Sequence, residues 1–461
     1  MQEVLDILVE MSKYLFAGLI TLYTLFAYVG ATIRVEKKRT KIYVFETLIM
    51  FSIHLLGYII LYLLKDDFRY AILYFVQFAL IFMTIMIYDV LYPKASRLLI
   101  NNMCLLLMIG FIIIGRLDFD RGVRQTLITA AGTVITFFIP WMISRFRGLR
   151  NLSWLYCLIG VISLAGVWAL GRSVYGANLN ISIAGITFQP SEFIKIIFIL
   201  FVASMYNKST SFPRIVVTTL LAIVHIGILI ASNDLGTGLI FFVVYLMMLF
   251  VATHNWLLLV AGTGCGAGAA SVAIRVVPHV TTRIEIWKNP WATVTGSGYQ
   301  ICQSLFAIGA GGWFGAGLLQ GSPDKVPVVV KDFIFAAISE ELGIIFGIGV
   351  LLICLNNLIL MMNIASRCIT LFYRLVAVGI GAAYGFQVFL TVGSAMNMIP
   401  MTGVTLPFVS YGGSSVISAL LMFGLINGMY NMRKDEGEVK YDRKKKQTEK
   451  RAAAAAAPRR A

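Results

Sequence analysis

The chain has 461 residues, of which 59% are hydrophobic and only 13% are charged, and its mean hydropathy is +0.84. A soluble domain carries about 25% charged residues, so this composition excludes an ordinary soluble enzyme. The net charge of +16 does not indicate a nucleic-acid partner, because lysines and arginines cluster in short loops between apolar runs.

These apolar runs have the length that crosses a bilayer as a helix, about 20 residues. A transmembrane barrel would show shorter, alternating segments, so we expect an all-α polytopic membrane protein. The first run lacks a basic n-region and a small-residue cleavage site, which indicates a retained span and not a signal peptide. In chain order, the sequence predicts thirteen spans near residues 11–33, 43–64, 70–92, 98–115, 125–143, 152–169, 190–206, 213–231, 236–252, 255–275, 333–360, 374–395 and 410–430.

The loops predict the orientation of these spans. The stretch "RVEKKRTK" at 34–41 is strongly basic, and every second loop after it is basic as well. The positive-inside rule then places the N-terminus outside and the C-terminus in the cytoplasm. The connection 171–188 and the large loop 276–332 lie outside in this topology. The tail 434–461 is basic and then alanine-rich, and we expect a disordered or loosely helical cytoplasmic segment that is either solvated or in contact with anionic membrane lipids.

Four polar places interrupt the apolar pattern. Glu192 and Lys195 in "QPSEFIKII" share one helix face and can form an ion pair, which has either a structural or a functional role. Asp234 in "SNDLGTG" lies at the start of a helix, where it is either a helix N-cap or a metal ligand. Asp332 in "KDFIFAAISEELG" would cap the eleventh span, and Glu340 and Glu341 lie two turns deeper.

The fourth place is the glycine and serine stretch "LPFVSYGGSS", which permits close helix packing or a broken helix. All four places lie toward the outer half of the membrane in the predicted topology. Ionisable groups inside spans are costly unless they are paired or face a cavity. The sequence therefore indicates a polar cavity that opens outward.

These motifs resemble those of the SEDS family, which includes FtsW, RodA and SpoVE. The matching stretches are "QPSEFIK", "NDLGTG", "GSGYQICQSLFAIGAGGWFGAG", "DFIFAAISEELG" and "GVTLPFVSYGGSS". The resemblance covers residues 97–433 and implies a ten-helix core. Residues 1–96 would form an added module of about three helices, in which no motif indicates a function.

The resemblance implies a peptidoglycan glycosyltransferase in the bacterial cytoplasmic membrane, acting in cell-wall synthesis, cell shape or division. Such enzymes polymerise lipid II, a disaccharide-pentapeptide on undecaprenyl pyrophosphate, beside a class B penicillin-binding transpeptidase. The reaction needs a base at the acceptor hydroxyl and positive charge or a metal at the departing pyrophosphate. Asp234 is a candidate ligand for Mg²⁺ or Mn²⁺. Candidate substrate-binding residues are Glu192, Lys195, Arg283, Tyr299, Gln300, Lys331, Glu340, Glu341, Ser410, Gly412, Gly413 and Ser414.

The loop "NPWATVTGSGYQ" departs from the family pattern W-N-P-W-E-D-P-x-G-x-G-Y-Q. Thr293 holds the position of the essential Asp, with Ala292 and Val294 on either side. A neutral hydroxyl cannot act as a base near pH 7 without activation. The family's outer-loop Arg is replaced by Leu179, and "PVVVKD" stands where the family has P-E-x-H-T-D.

Several functions stay open on this sequence. An active glycosyltransferase would need a relocated acid or base, for which the candidates are Asp332, Glu285, Glu340, Glu341 and Asp324, with Lys331 and Arg283 at the pyrophosphate. A non-catalytic homologue would bind a lipid-linked sugar or a partner protein as a scaffold or regulator. A lipid flippase is a weaker alternative, since no inverted repeat is visible. A different lipid-linked glycan is a further possible substrate.

Overall fold

The computed structural model describes residues 2–33, 35–170, 172–174, 177–183 and 186–432. Within these residues, twelve helices are long and apolar enough to cross a membrane, and a shorter apolar helix covers Ser153–Ala169. Each of the thirteen predicted spans therefore coincides with an apolar helix. These thirteen apolar helices are α1 (Gln2–Thr32), α2 (Glu36–Lys65), α3 (Phe68–Leu91), α4 (Arg97–Leu117), α5 (Phe119–Arg145), the shorter α6 (Ser153–Leu170), α7 (Pro190–Lys208), α8 (Phe212–Ala231), α9 (Leu235–Thr253), α10 (Trp256–Val276), α13 (Ile334–Arg367), α14 (Leu371–Ala395) and α15 (Gly413–Met432).

Two short helices, α11 (Pro278–Lys288) and α12 (Tyr299–Gly311), lie in the large loop between α10 and α13. The connection between α6 and α7 contains three short antiparallel strands, β1 (Arg172–Val174), β2 (Ala177–Ile183) and β3 (Ile186–Phe188), in that order. Val174 pairs with Ala177 and Ile183 with Ile186, so each strand folds back on the previous one. The sequence predicted a loop here, and the rest of the described chain has the predicted all-α architecture.

Helix α4 is buried along nearly its whole length, because the three N-terminal helices cover one side of it and later helices cover the other. Tyr23 of α1 donates a hydrogen bond to Asn102 of α4 at 3.1 Å, and Tyr70 of α3 donates to the Gly115 carbonyl oxygen at 3.3 Å. Asn102 in turn donates to Asn356 and Asn357 of α13. Helices α1 and α3 are thus hydrogen-bonded to α4 inside the bundle.

Helix α13 contains one break, at Gly343, whose φ of 85° lies in the left-handed region that favours glycine. The glycine-rich segment after α12 fits against this break. A β-carbon on Gly311 would lie 1.9 Å from the Ser339 oxygen, and one on Gly315 would lie 2.3 Å from the Glu341 oxygen. Only glycine permits this close approach, which accounts for Gly311 and Gly315 in the "GAGGWFGAG" segment.

The connections that carry the predicted polar motifs meet at one end of the bundle, here called the site end. The N-terminal ends of α7, α9, α13 and α15 lie at the site end, together with α11, α12 and the loop 396–412. Direct hydrogen bonds join these segments, for example from the Gln189 amide to Ser414 Oγ at 2.9 Å. Polar side chains from distant parts of the sequence are therefore brought together there.

Candidate functional site

The first feature of the site end is a group of three charged side chains, Asp234, Arg283 and Asp332, here called the carboxylate–arginine group. Arg283 projects from the short helix α11 and donates from Nη1 to the Met401 carbonyl oxygen at 3.3 Å. Its guanidinium lies within electrostatic range of both carboxylates. Asp332 also lies against the loop 396–412, since its Oδ2 would be 3.8 Å from a β-carbon on Gly403.

Asp332 is only partly buried, and it lies just before α13. Burial raises the pKa of its carboxyl from the ordinary 3.8 to about 6, while the positive charges of Lys331 and Arg283 oppose that rise. The side chain is therefore ionised at neutral pH and can still take up a proton readily. The predicted helix-capping role of Asp332 is wrong, because α13 begins at Ile334 after an N-cap at Phe333.

Asp234 caps the N-terminus of α9, where its Oδ1 accepts a hydrogen bond from the Thr237 amide at 3.1 Å. Its Oδ2 is buried without a hydrogen-bond partner. Burial raises the pKa of Asp234 and the nearby charge of Glu192 adds to the rise, while hydrogen-bonding contacts with Thr237 and with the Ser191 side chain oppose it. An unpartnered carboxylate oxygen of this kind can accept a cation or a donor.

The loop that begins α15 positions the segment around Asp332. Ser410 Oγ donates to the Lys331 carbonyl oxygen at 2.5 Å, and the Tyr411 amide donates to Val330 at 2.7 Å. Gln125 of α5 holds the loop from the other side, since its Nε2 donates to the Ser410 carbonyl oxygen at 3.2 Å. The predicted residues Ser410, Gly412, Gly413 and Ser414 thus form the support of the site, with Gly413 as the first residue of α15.

The ion pair predicted between Glu192 and Lys195 is present in the structure. Lys195 Nζ donates to Glu192 Oε2 at 2.9 Å and to Gln387 Oε1 at 2.7 Å. Gln387 of α14 donates in turn to the Thr405 carbonyl oxygen at 3.0 Å. Glu192 and Lys195 are both buried residues of α7, and the hydrogen bond from Lys195 to Gln387 is the contact that joins α7 to α14.

Glu340 and Glu341 stabilise the glycine-rich segment instead of lining the carboxylate–arginine group. Arg116, at the end of α4, donates to Glu341 Oε1 at 2.7 Å and to the Gly321 carbonyl oxygen at 3.0 Å. Glu340 Oε1 accepts from the Ser322 amide at 2.7 Å. Glu341 is fully buried and Glu340 nearly so. Each retains one unpartnered oxygen, and their main contacts are structural.

Thr293 ends a short 3₁₀ helix, Pro290–Thr293, and its side chain is exposed. Its carbonyl oxygen accepts from the Gly296 amide at 2.9 Å and the Gly298 amide at 3.1 Å. A β-carbon on Gly298 would lie 2.7 Å from Thr293 Oγ1, so the loop is tightly turned. In the described residues, no hydrogen bond or ion pair joins Thr293 to the carboxylate–arginine group.

The other predicted residues lie near the site end, and most of their side chains are exposed. Glu285 is exposed on α11, two residues after Arg283, and Asp324 is exposed with Arg116 at 3.7 Å. Tyr299 and Gln300 begin α12, and Lys331 is exposed beside Asp332. The side chain of Leu179 lies outside the described residues, as does the tail 434–461.

Sequence reasoning missed three residues that organise the site. Arg116 is the partner of Glu341, Gln387 is the second partner of Lys195, and Met401 accepts from Arg283. The sequence does mark two of them as unusual, because Arg116 and Gln387 are polar residues inside or at the end of apolar runs. The Met401 contact is made by a main-chain oxygen, which every residue has, so the sequence cannot predict it.

A family model described as "Cell cycle protein", for FtsW, RodA and SpoVE, matches residues 96–435. Among curated proteins, peptidoglycan glycosyltransferase RodA of Mycobacterium tuberculosis (strain H37Rv) is 30% identical over 363 residues, covering 72% of this chain and 77% of the relative. Stage V sporulation protein E of Bacillus subtilis (strain 168) is 36% identical over 321 residues, covering 66% of this chain and 85% of the relative.

Solved structures give the same fold. A chain from a peptidoglycan synthase complex, studied for the coordination of polymerization and crosslinking, aligns with a TM-score of 0.65 and 26% identity. The alignment covers 74% of this chain and 98% of that one. The rod shape determining protein RodA of Thermus thermophilus aligns with a TM-score of 0.57 at 24% identity, with the same coverage, and supports the fold alone. With three quarters of its length matched by the family model, the chain belongs to the FtsW, RodA and SpoVE family.

Proposed function

We propose that this protein is a peptidoglycan glycosyltransferase that polymerises lipid II at the outer face of a bacterial cytoplasmic membrane. The names of its relatives support this type of reaction. The polar groups at the site end support the proposal that the reaction takes place there. In this proposal the site end faces outward, the N-terminus lies outside and the C-terminus lies in the cytoplasm. The loop charges of the sequence support that orientation.

The observation that carries the proposal is the partly exposed Asp332, whose pKa of about 6 suits a general base near neutral pH. Asp332 would take the proton from the acceptor sugar hydroxyl as its oxygen bonds to the anomeric carbon of the donor. The bond from that carbon to the pyrophosphate oxygen breaks, and the lipid pyrophosphate leaves with the electron pair.

The negative charge that develops on the departing pyrophosphate needs a positive partner. Arg283 is held in place by Met401 and lies near Asp332, so its planar guanidinium can bind two phosphate oxygens. Lys331 is exposed and adjacent in sequence to Asp332. Both would bring positive charge to the same side of the site as the base.

Asp234 is the candidate ligand for Mg²⁺ or Mn²⁺, because its Oδ2 is a carboxylate oxygen without a hydrogen bond and the residue belongs to the carboxylate–arginine group. Among the described residues, no three His, Cys, Asp or Glu side chains form a ligand group. Magnesium often takes one or two carboxylates, with water and substrate phosphates as the remaining ligands. A bound ion would add positive charge at the pyrophosphate.

The partner in this proposal is a class B penicillin-binding transpeptidase, which would crosslink the new glycan strand. The support is the solved complex to which the fold is similar. The division of the chain at residues 97 and 433 is likewise part of the proposal, with residues 1–96 as an added module. The process served, whether elongation, division or sporulation, stays open among the relatives.

One observation favours a second function. Thr293 is exposed and neutral at the position where the family has its essential Asp. A protein with this change could bind lipid II and a partner without catalysing the reaction. The site end would then serve as a lipid-linked-sugar-binding scaffold.

The experiment that separates the two functions is lipid II polymerisation by the purified full-length protein in detergent with Mg²⁺. It is run alone and with each class B penicillin-binding protein of the same genome, and lipid II binding is measured in parallel. Glycan strands support the glycosyltransferase. Binding without product in every pairing contradicts it and supports the scaffold.

A further inference from the structure

A buried glutamate in the added module has no role in the proposed reaction. Glu46 lies in α2, within the membrane-spanning segment Lys37–Lys65, and its side chain is fully buried. Its Oε2 accepts a hydrogen bond from Asn101 Nδ2 of α4 at 3.0 Å. Asn101 Nδ2 also donates to the Tyr43 carbonyl oxygen at 3.3 Å. An ionisable group at this depth is costly and indicates a specific function.

The remaining oxygens of the two side chains have no partner. Glu46 Oε1 and Asn101 Oδ1 are both buried without a hydrogen bond. If Glu46 were ionised, both oxygens would be acceptors without a donor, inside a low-dielectric bundle. That arrangement is unfavourable for each atom separately, because neither water nor a protein donor replaces the lost hydrogen bond.

A single proton on Glu46 would place both unpartnered oxygens in one hydrogen bond. A protonated carboxyl has a donor beside an acceptor, and so does a primary amide. Asn101 Nδ2 already donates to Glu46 Oε2, so a proton on Glu46 Oε1 would supply the donor that Asn101 Oδ1 lacks. We propose that Glu46 carries a proton at neutral pH and forms with Asn101 a doubly hydrogen-bonded acid–amide pair, a proton-binding site that joins the added module to the core.

The surroundings of Glu46 Oε1 favour the neutral form. A β-carbon on Gly30 of α1 would lie 3.4 Å from this oxygen, 3.3 Å from Ile42 Cγ2 and 3.4 Å from Tyr43 Cε1. The oxygen therefore faces a glycine of the neighbouring helix together with carbon atoms. A carboxylate would be poorly solvated in this place.

The titratable and charged groups around Glu46 come from α1, α2, α4 and α15. Arg97 of α4 lies within electrostatic range and favours the ionised form; its Nη1 is paired with Asp89 of α3, and its Nε is buried without a hydrogen bond to Glu46 or any other described group. Tyr23 of α1 donates to Asn102. Tyr43 of α2 lies near Tyr430 of α15. These contacts leave Asn101 as the side chain that bonds Glu46 directly.

A direct consequence is that the packing of the module depends on pH. With the proton in place, the pair contributes two hydrogen bonds between α2 and α4. Loss of the proton as pH rises leaves two facing acceptors and weakens this interface. The contribution to stability is thus complete below the pKa of an unfolded-state glutamate, about 4.3, and is lost progressively as the pH rises until the folded-state carboxyl ionises.

The test compares wild type with Glu46→Gln in the full-length protein in lipid nanodiscs. Glutamine has a donor and an acceptor like the neutral acid, so the melting temperature at pH 7 should stay within about 2 °C of wild type. As the pH is raised to about 9, the wild-type melting temperature should fall while that of Glu46→Gln stays constant. Glu10→Gln, at an exposed residue of α1, is the matched control and should follow wild type.

Infrared difference spectroscopy then detects the proton itself. Subtracting the Glu46→Gln spectrum from that of wild type at pH 7 should leave a carboxylic-acid C=O band and no additional carboxylate band. A carboxylate band instead would overturn the proposal. So would a Glu46→Gln protein that melts as low as Glu46→Ala, because the neutral isostere would then fail to replace the acid.

Discussion

Ser410 Oγ donates a hydrogen bond to the Lys331 carbonyl oxygen at 2.5 Å, so the loop that begins α15 holds the residue directly before Asp332. Ser410 is buried and also accepts from the Leu406 amide at 2.9 Å. The position of the proposed base therefore depends on a segment almost eighty residues later in the chain. This relationship gives the serine and glycine motif a physical role.

Replacing Ser410 by alanine removes both hydrogen bonds. We expect kcat for lipid II polymerisation to fall by about tenfold to a hundredfold, because a displaced Asp332 is no longer aligned with the acceptor hydroxyl. KM should change little, since the substrate contacts are not removed. Ser144→Ala, at an exposed serine of α5, is the control and should leave both constants unchanged. An increase in KM at constant kcat would argue against a positioning role.

Replacing Arg116 by leucine leaves Glu341 buried without its charged partner. We expect a loss of about 3–5 kcal/mol in the free energy of unfolding, measured by thermal unfolding in detergent. Arg121→Leu removes an exposed pair with Asp118 and should cost at most about 1 kcal/mol. The double variant Arg116→Leu with Glu341→Leu should recover part of the loss. Equal effects of the Arg116 and Arg121 changes would contradict this account.

Thr293→Asp restores the acidic residue of the family pattern. We expect polymerisation within about tenfold of wild type, because Asp332 already accepts the proton in the proposed mechanism. The rate is measured with the same transpeptidase partner in both samples. A gain of more than about a hundredfold would mean that wild type lacks a working base. Thr295→Asp, two residues along the same loop, is the control for added charge.

Asp234→Asn tests the proposed metal ligand. We expect the Mg²⁺ concentration for half-maximal polymerisation to rise about tenfold or more, since an amide oxygen is a weaker ligand than a carboxylate. The capping bond to Thr237 can persist, so the fold should survive. Asp324→Asn removes an exposed carboxylate of the same end and should leave the Mg²⁺ requirement unchanged. Identical Mg²⁺ curves for Asp234→Asn and wild type would exclude Asp234 as a ligand.

The sequence predicted the spans well because the length of an apolar run directly reflects bilayer thickness. It also predicted the Glu192–Lys195 pair, because three-residue spacing on a helix fixes the side chains on one face. These features depend on neighbouring residues and on composition. They need no knowledge of how distant segments meet.

The assembled site could not be predicted in the same way. Asp234 precedes α9, whereas Arg283 and Asp332 lie about fifty residues apart in the large loop between α10 and α13, and Arg283 is positioned by a main-chain oxygen of the loop 396–412. The cap expected at Asp332 failed because the helix starts two residues later, which frees this carboxylate for another role. Glu341 drew attention as a buried charge, but its partner Arg116 lies 225 residues away.

The most direct test of the account is the pH dependence of kcat/KM for lipid II polymerisation, measured with wild type and Asp332→Asn. The carboxyl must be ionised to accept a proton, so the wild-type rate should fall as pH drops through about 6. At pH 5 it should be about tenfold below its plateau, and Asp332→Asn should be inactive at every pH while still binding lipid II. An Asp332→Asn protein that retains the wild-type rate and pH profile would contradict the assignment of Asp332 as the base.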